Sequence, residues 1–118
     1  ILQMVNTYRA TKELEPLVRM NYISSVAQTH TNYMVQTGLV NHDNFPERNE
    51  KLVVNANAQQ VGENVAYGYS TAIGVVNAWL KSDAHRAIIE NSEYTHFGIS
   101  TEKNDSGKYF YTQMFIQK

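Results

Sequence analysis

Tyr109-Phe110-Tyr111-Thr112-Gln113-Met114-Phe115-Ile116 carries apolar or aromatic residues on both of its faces. A strand with one wet face alternates. A β-prone run that does not alternate predicts a central strand covered on both sides. Thr95 to Thr101 has the same strand composition, and Glu102-Lys103-Asn104-Asp105-Ser106-Gly107 between the two is a turn-forming segment. The two runs therefore read as a terminal antiparallel hairpin.

The residues upstream of the hairpin read mainly as helices. Residues 17–37 give the clearest one, because Met20, Ile23, Ala27, His30 and Met34 recur at spacings of three and four and Gly38 suits a C-cap. Residues 1–10 predict another, with Leu2, Val5 and the aliphatic stem of Arg9 on one face, and Thr11 to Pro16 connects the two. Residues 39–60 are irregular, with a short helix near Pro46–Leu52 and an exposed polar loop from Asn55 to Gln60. Val61 to Tyr69 runs through Gly62-Glu63-Asn64 and ends in Gly68 and Tyr69. Ser70 or Thr71 caps a helix over 71–81 whose inner face is Ala72, Val75, Val76, Trp79 and Leu80. Ser82 or Asp83 caps a short helix through Glu90. Helices followed by a hairpin predict an α+β layered domain.

A chain of 118 residues supports one core, so a single domain over 1–118 is expected. It starts at Ile1 inside a helical pattern, which reads as trimmed and leaves room for a leader or further domains upstream. A net charge of −1 without a run of one sign gives no footprint for nucleic acid. The longest apolar runs fall far short of a membrane span. Without cysteine the chain has no disulfide framework, no cysteine-based zinc site and no thiol nucleophile. It also lacks a His-Glu-x-x-His helix, a phosphate-binding loop, a Gly-x-Ser-x-Gly elbow and a dinucleotide fingerprint.

Chemistry then falls on His42, Glu63 and His85, which make a two-histidine, one-carboxylate cluster if the fold gathers them. His42 lies in a loop between Asn41 and Asp43, placed to reach a cleft. Glu63 follows a glycine that lets the backbone come close to a neighbour, and Asn64 can satisfy nearby backbone groups. His85 near a helix start is favoured in its neutral form, which binds metal or accepts a proton. Each also has a plain reading: an exposed loop histidine, a structural carboxylate and a packed histidine. Ser82 and Asp83 read most simply as caps, and Arg86 as an anchor of its helix. His30 reads as a core histidine bonded to backbone, His96 as an edge residue, and Trp79 as a core anchor.

The ordered set Asn6-Thr7-Tyr8-Arg9, Ala27-Gln28-Thr29-His30, Asn41-His42-Asp43-Asn44-Phe45 with Arg48, Gly62-Glu63-Asn64-Val65-Ala66, Trp79, Ser82-Asp83-Ala84-His85-Arg86, Thr95-His96-Phe97-Gly98-Ile99 and Tyr111-Thr112-Gln113-Met114-Phe115 resembles the CAP superfamily. That superfamily is named for cysteine-rich secretory, antigen 5 and pathogenesis-related proteins, and this chain is similar to its bacterial, cysteine-free branch. The resemblance covers essentially the whole chain. It implies a three-layer α-β-α sandwich with a small central antiparallel sheet. It also implies a cleft tetrad of two histidines and two glutamates. By motif His42, Glu63 and His85 match three of the four, while the second glutamate's position falls on Ser82, with Asp83 a nearby acid. Asn64, Ser82 and Asp83 are accordingly expected to line the cleft.

Three functions stay open at this point. The first is a recognition module, secreted or in the cell envelope, monomeric, taking a small-molecule, lipid, envelope or host ligand. The second is a zinc-dependent, peptidase-like hydrolase, with His42, Glu63 and His85 as ligands and catalytic groups and water in the fourth position. The third is a structural cluster that ties loops down by hydrogen bonds.

Overall fold

The computed structural model describes residues 1–118. The elements are α1 (Leu2–Thr11), β1 (Val18–Arg19), α2 (Asn21–Thr37), α3 (Phe45–Ala56), β2 (Gln60–Tyr67), α4 (Ala72–Lys81), α5 (Asp83–Ile89), β3 (His96–Lys103) and β4 (Tyr109–Gln117). One four-stranded sheet runs β1-β3-β4-β2, with β4 in the interior. The β3–β4 and β4–β2 pairs are antiparallel, whereas β1 joins β3 in parallel.

Period two along β4 sorts the core. Tyr111 and Phe115 face α1, α4 and α5, packing with Val5, Val75, Val76, Trp79 and Ile89. Met114 and Ile116 face α2 and α3, packing with Ile23, Val26, Ala27, Leu52 and Ala56. Phe110 follows them, against Met34 and Val65. Every residue from Phe110 to Ile116 is buried, as expected of a strand between two helical layers. Gly98 lets α2 sit directly on the sheet, because a Cβ there would run into the backbone of Ile23 and Ser24.

Four local expectations are corrected. Residues 17–20 are not helical: Val18 N–H donates to Thr95 C=O at 2.9 Å and Met20 N–H to Phe97 C=O at 3.0 Å, so sheet bonds win and the helix begins at Asn21. The 46–52 helix extends to Ala56, whose methyl is buried in the α2–α3 layer. Asn55 to Gln60 is therefore not one exposed loop; Ala58 is also buried and Gln60 begins β2. Ala72 is exposed at the start of α4, where Thr71 Oγ1 accepts from Gly74 N–H at 3.0 Å. Gly38 does cap α2 in the left-handed region, at φ 74°.

Arg9 sets the position of α5. It is fully buried, and its guanidinium donates to the carbonyls of Ile89 at 2.8 Å, Asn91 at 3.1 Å and Glu15 at 3.0 Å. A cation on the last carbonyls of a helix satisfies groups that have no partner within it. That bond set ties α1 to the C-terminal end of the helix that carries His85.

Candidate functional site

Glu63 lies in β2 on the face turned to α2 and α3, and its side chain is 1% exposed. Its carboxylate is held by Arg48 of α3, which donates through Nε to Oε2 at 2.7 Å and through Nη2 to Oε1 at 2.8 Å. Such a two-pronged pair is what a guanidinium fork favours. Arg48 Nη1 also donates to Asp43 C=O at 2.6 Å, which pins the loop before α3. Glu63 Oε1 in turn meets His42 Nδ1 at 2.7 Å. Because the carboxylate only accepts, Nδ1 carries a proton, and Nε2 makes no hydrogen bond within the protein. The His42 side chain is 53% exposed. A buried ion pair thus orients a histidine at the surface.

His30 holds the other end of the His42 loop. It is 1% exposed, and its Nε2 lies 2.6 Å from Asn41 C=O, so Nε2 is the protonated nitrogen. This is the backbone-bonded core histidine that its place on the apolar face of α2 predicts. Burial pushes its pKa below the ordinary histidine value, partly offset by the Asn41 carbonyl. Burial also lowers His85 and His96. A folded pKa below the unfolded one means that the unfolded chain binds more protons in that window. Stability is therefore expected to fall as pH drops below about 6.5. Thermal unfolding followed between pH 7.5 and 5 checks this. His30→Gln should flatten the fall in part, with His85 and His96 supplying the remainder. An unchanged slope in that variant would refute the role given to His30.

His85 stands on the other side of β2. Its Nδ1 lies 2.8 Å from Ser82 Oγ, which fixes the ring against the start of α5. Asn64, the neighbour of Glu63 but pointing to the opposite face, donates from Nδ2 to His85 C=O at 3.2 Å and to Gln113 Oε1 at 3.1 Å. Asp83 turns to solvent and pairs with Arg86 at 2.7 Å. His42 and Glu63 line a groove of about 360 Å³ with Phe45, Val61, Gly62, Ile88 and Tyr94. His85 and Ser82 line a second, of about 310 Å³, with Tyr67, Tyr69 and Trp79. The His85 pKa is lowered first by burial and then by the nearness of the His42 ring.

Of the three chemistry-bearing residues, then, His42 and Glu63 are in direct contact, and the His85 ring bonds Ser82 instead. No three histidine, aspartate or glutamate side chains are grouped to hold a metal ion. Glu63 Oε2 accepts from Arg48, and Oε1 accepts from both Arg48 and His42. The motif reading includes Arg48 but gives it no role. Its signal is the spacing Phe45, Arg48, Leu52, Ala56, which places one arginine on an apolar helix face and so demands a buried acid.

The family model described as the cysteine-rich secretory protein family (CAP) matches residues 2–115. The chain is similar, at 32% identity, to an uncharacterized membrane protein of Bacillus subtilis, YlbC, over all of this chain and 34% of that protein. It is 27% identical to YkwD of the same bacterium, over all of this chain and 46% of that one. The chain thus spans between a third and a half of these relatives. Among solved structures, an extracellular protein of Bacillus anthracis containing an SCP domain superimposes with a TM-score of 0.87 at 27% identity, over 99% of this chain and 39% of the other. An outer surface protein of Borrelia burgdorferi gives a TM-score of 0.88 at 21% identity, over 99% of this chain and 89% of that one, a likeness of fold.

Proposed function

The chain belongs to the cysteine-rich secretory protein (CAP) family, and we propose that its His42 groove is a monomeric recognition site within a secreted or envelope protein. The observation that carries this reading is the Arg48–Glu63–His42 relay. It spends a buried ion pair on holding one half-exposed imidazole in a single orientation at an apolar-walled groove. Fixing a polar group at the rim of an apolar cleft is how binding sites gain orientation. The extracellular SCP-domain protein of Bacillus anthracis supports an extracellular setting. No helix here is long and apolar enough to cross a membrane.

The hydrolase alternative has less support. A carboxylate with both oxygens engaged is poorly placed to be a base or a metal ligand. Sedimentation of the protein with purified cell-wall sacculi and with phosphatidylglycerol vesicles tests the recognition reading. Binding to one of them is expected, weaker by about tenfold in His42→Ala, since a buried or oriented polar contact is worth about 1.5 kcal/mol or more. Equal binding by wild type and variant would sink it. A zinc titration of the same proteins separates a metal-bridged contact from a direct one.

A further inference from the structure

β2 is an edge strand: β4 is on one side and no strand lies on the other. Gly68 N–H donates to Tyr109 C=O, and the register runs from Tyr67↔Phe110 to Gln60↔Gln117. Bonding in an antiparallel pair alternates. Gly62, Asn64 and Ala66 therefore turn their main-chain groups to β4, and Val61, Glu63 and Val65 turn theirs outward. On that outward side the one hydrogen bond to this run is from the Trp79 indole to Val65 C=O, at 3.1 Å. The N–H and C=O of Val61, the N–H and C=O of Glu63, and the N–H of Val65 have no partner in the protein. Main-chain groups in a packed setting are obligatory bonders, and Glu63 and Val65 are both buried residues.

The groove that holds His42 lies along the Val61–Glu63 part of this edge, and Val65 lines the neighbouring groove with Trp79 and His85. His42 and Phe45 wall the former from the α2–α3 layer, and Ile88 and Tyr94 from the other. We propose that the groove takes an extended peptide, about five residues long, which adds to β2 as an outer strand. This rests on the reading of the groove as a recognition site and names its ligand class. The spacing decides the class. Donor and acceptor pairs recurring every second residue match an extended polypeptide, whereas a saccharide or a lipid headgroup has no such repeat. Side chains of an added strand would point alternately to the His42–Phe45 wall and to the Ile88–Tyr94 wall. Trp79, on Val65 C=O, closes the ladder at one end and limits its length.

The test starts from a phage-displayed library of linear heptapeptides panned against the wild-type chain. The tightest peptide is synthesised and scanned by single N-methylation. Strand addition predicts weakening of about tenfold or more at alternate peptide positions and little between them. It also predicts slowed amide exchange at Val61, Glu63 and Val65. Val61→Pro deletes one outward N–H without touching the bonds to β4, as an edge strand tolerates. It should weaken the peptide about fivefold to tenfold. The N-methyl scan decides the matter should that variant fail to fold. An N-methyl scan without alternation, or a library that yields no binder, overturns the proposal. Protection of the β2 amides that rises with protein concentration alone assigns the edge to a second copy, and also overturns it. A peptide that perturbs the His42 imidazole without the alternating pattern removes strand addition and leaves the recognition site standing. The recognition reading falls separately, on equal envelope binding by wild type and His42→Ala.

Discussion

Trp79→Ala is expected to cost on the order of 3–5 kcal/mol of folding stability. The indole is 2% exposed in the layer between the sheet and α1, α4 and α5. It meets Tyr111 edge to face, with ring centroids 6.3 Å apart, and donates to the outward carbonyl of Val65. Truncation therefore opens a large cavity and frees a main-chain acceptor in one step. Trp79→Phe separates the two contributions, keeping most of the packing and losing the bond, for about 1 kcal/mol plus the lost ring area. Urea unfolding followed by circular dichroism measures both; fluorescence is unsuitable because Trp79 is the sole tryptophan. A domain of this size carries about 5–15 kcal/mol in all, so the alanine variant should be visibly less stable at room temperature. A loss below about 1 kcal/mol would mean that the indole contributes to a ligand surface rather than to the core.

The elements that were legible are those whose signal is local. β4 is read correctly because seven consecutive buried residues leave no alternation to find. α2 is legible because Ile23, Ala27, His30 and Met34 keep one face over about three turns. β1 was not, since it has two residues with exposed side chains and exists through bonds to Thr95 and Phe97, far along the chain. β2 has no signal of its own either. Glu63 and Asn64 look like loop residues, yet each is buried on an opposite face, where Arg48 holds the Glu63 carboxylate and Gln113 accepts from the Asn64 amide. The partners lie 15 and 49 residues away, and no window of sequence contains both members. The same distance explains the site. Motifs named His42, Glu63 and His85, but only the tertiary structure reveals that Glu63 serves His42 while His85 bonds Ser82.

Removing either partner of the Arg48–Glu63 pair is expected to be as costly as losing the indole, about 3–5 kcal/mol, because the survivor is a buried charge without compensation. The two halves differ in environment. In Arg48→Met the carboxylate keeps its hydrogen bond to the half-exposed His42 ring. In Glu63→Leu the guanidinium keeps only the carbonyl of Asp43, so the larger loss belongs there. The double variant Arg48→Met with Glu63→Leu puts apolar side chains into the space on the α3 face beside Leu52. It should regain most of the stability, as replacing a whole buried pair commonly does. Denaturant unfolding of the two single variants and the double one closes this cycle. Ligand binding should not return with the stability, because nothing then orients His42. A double variant that folds like the wild type and fails to bind would separate the relay's two roles: the ion pair is dispensable for the fold and required to aim the imidazole. Restored binding in that variant would show that His42 needs no carboxylate behind it, and would take away the observation on which the recognition site rests.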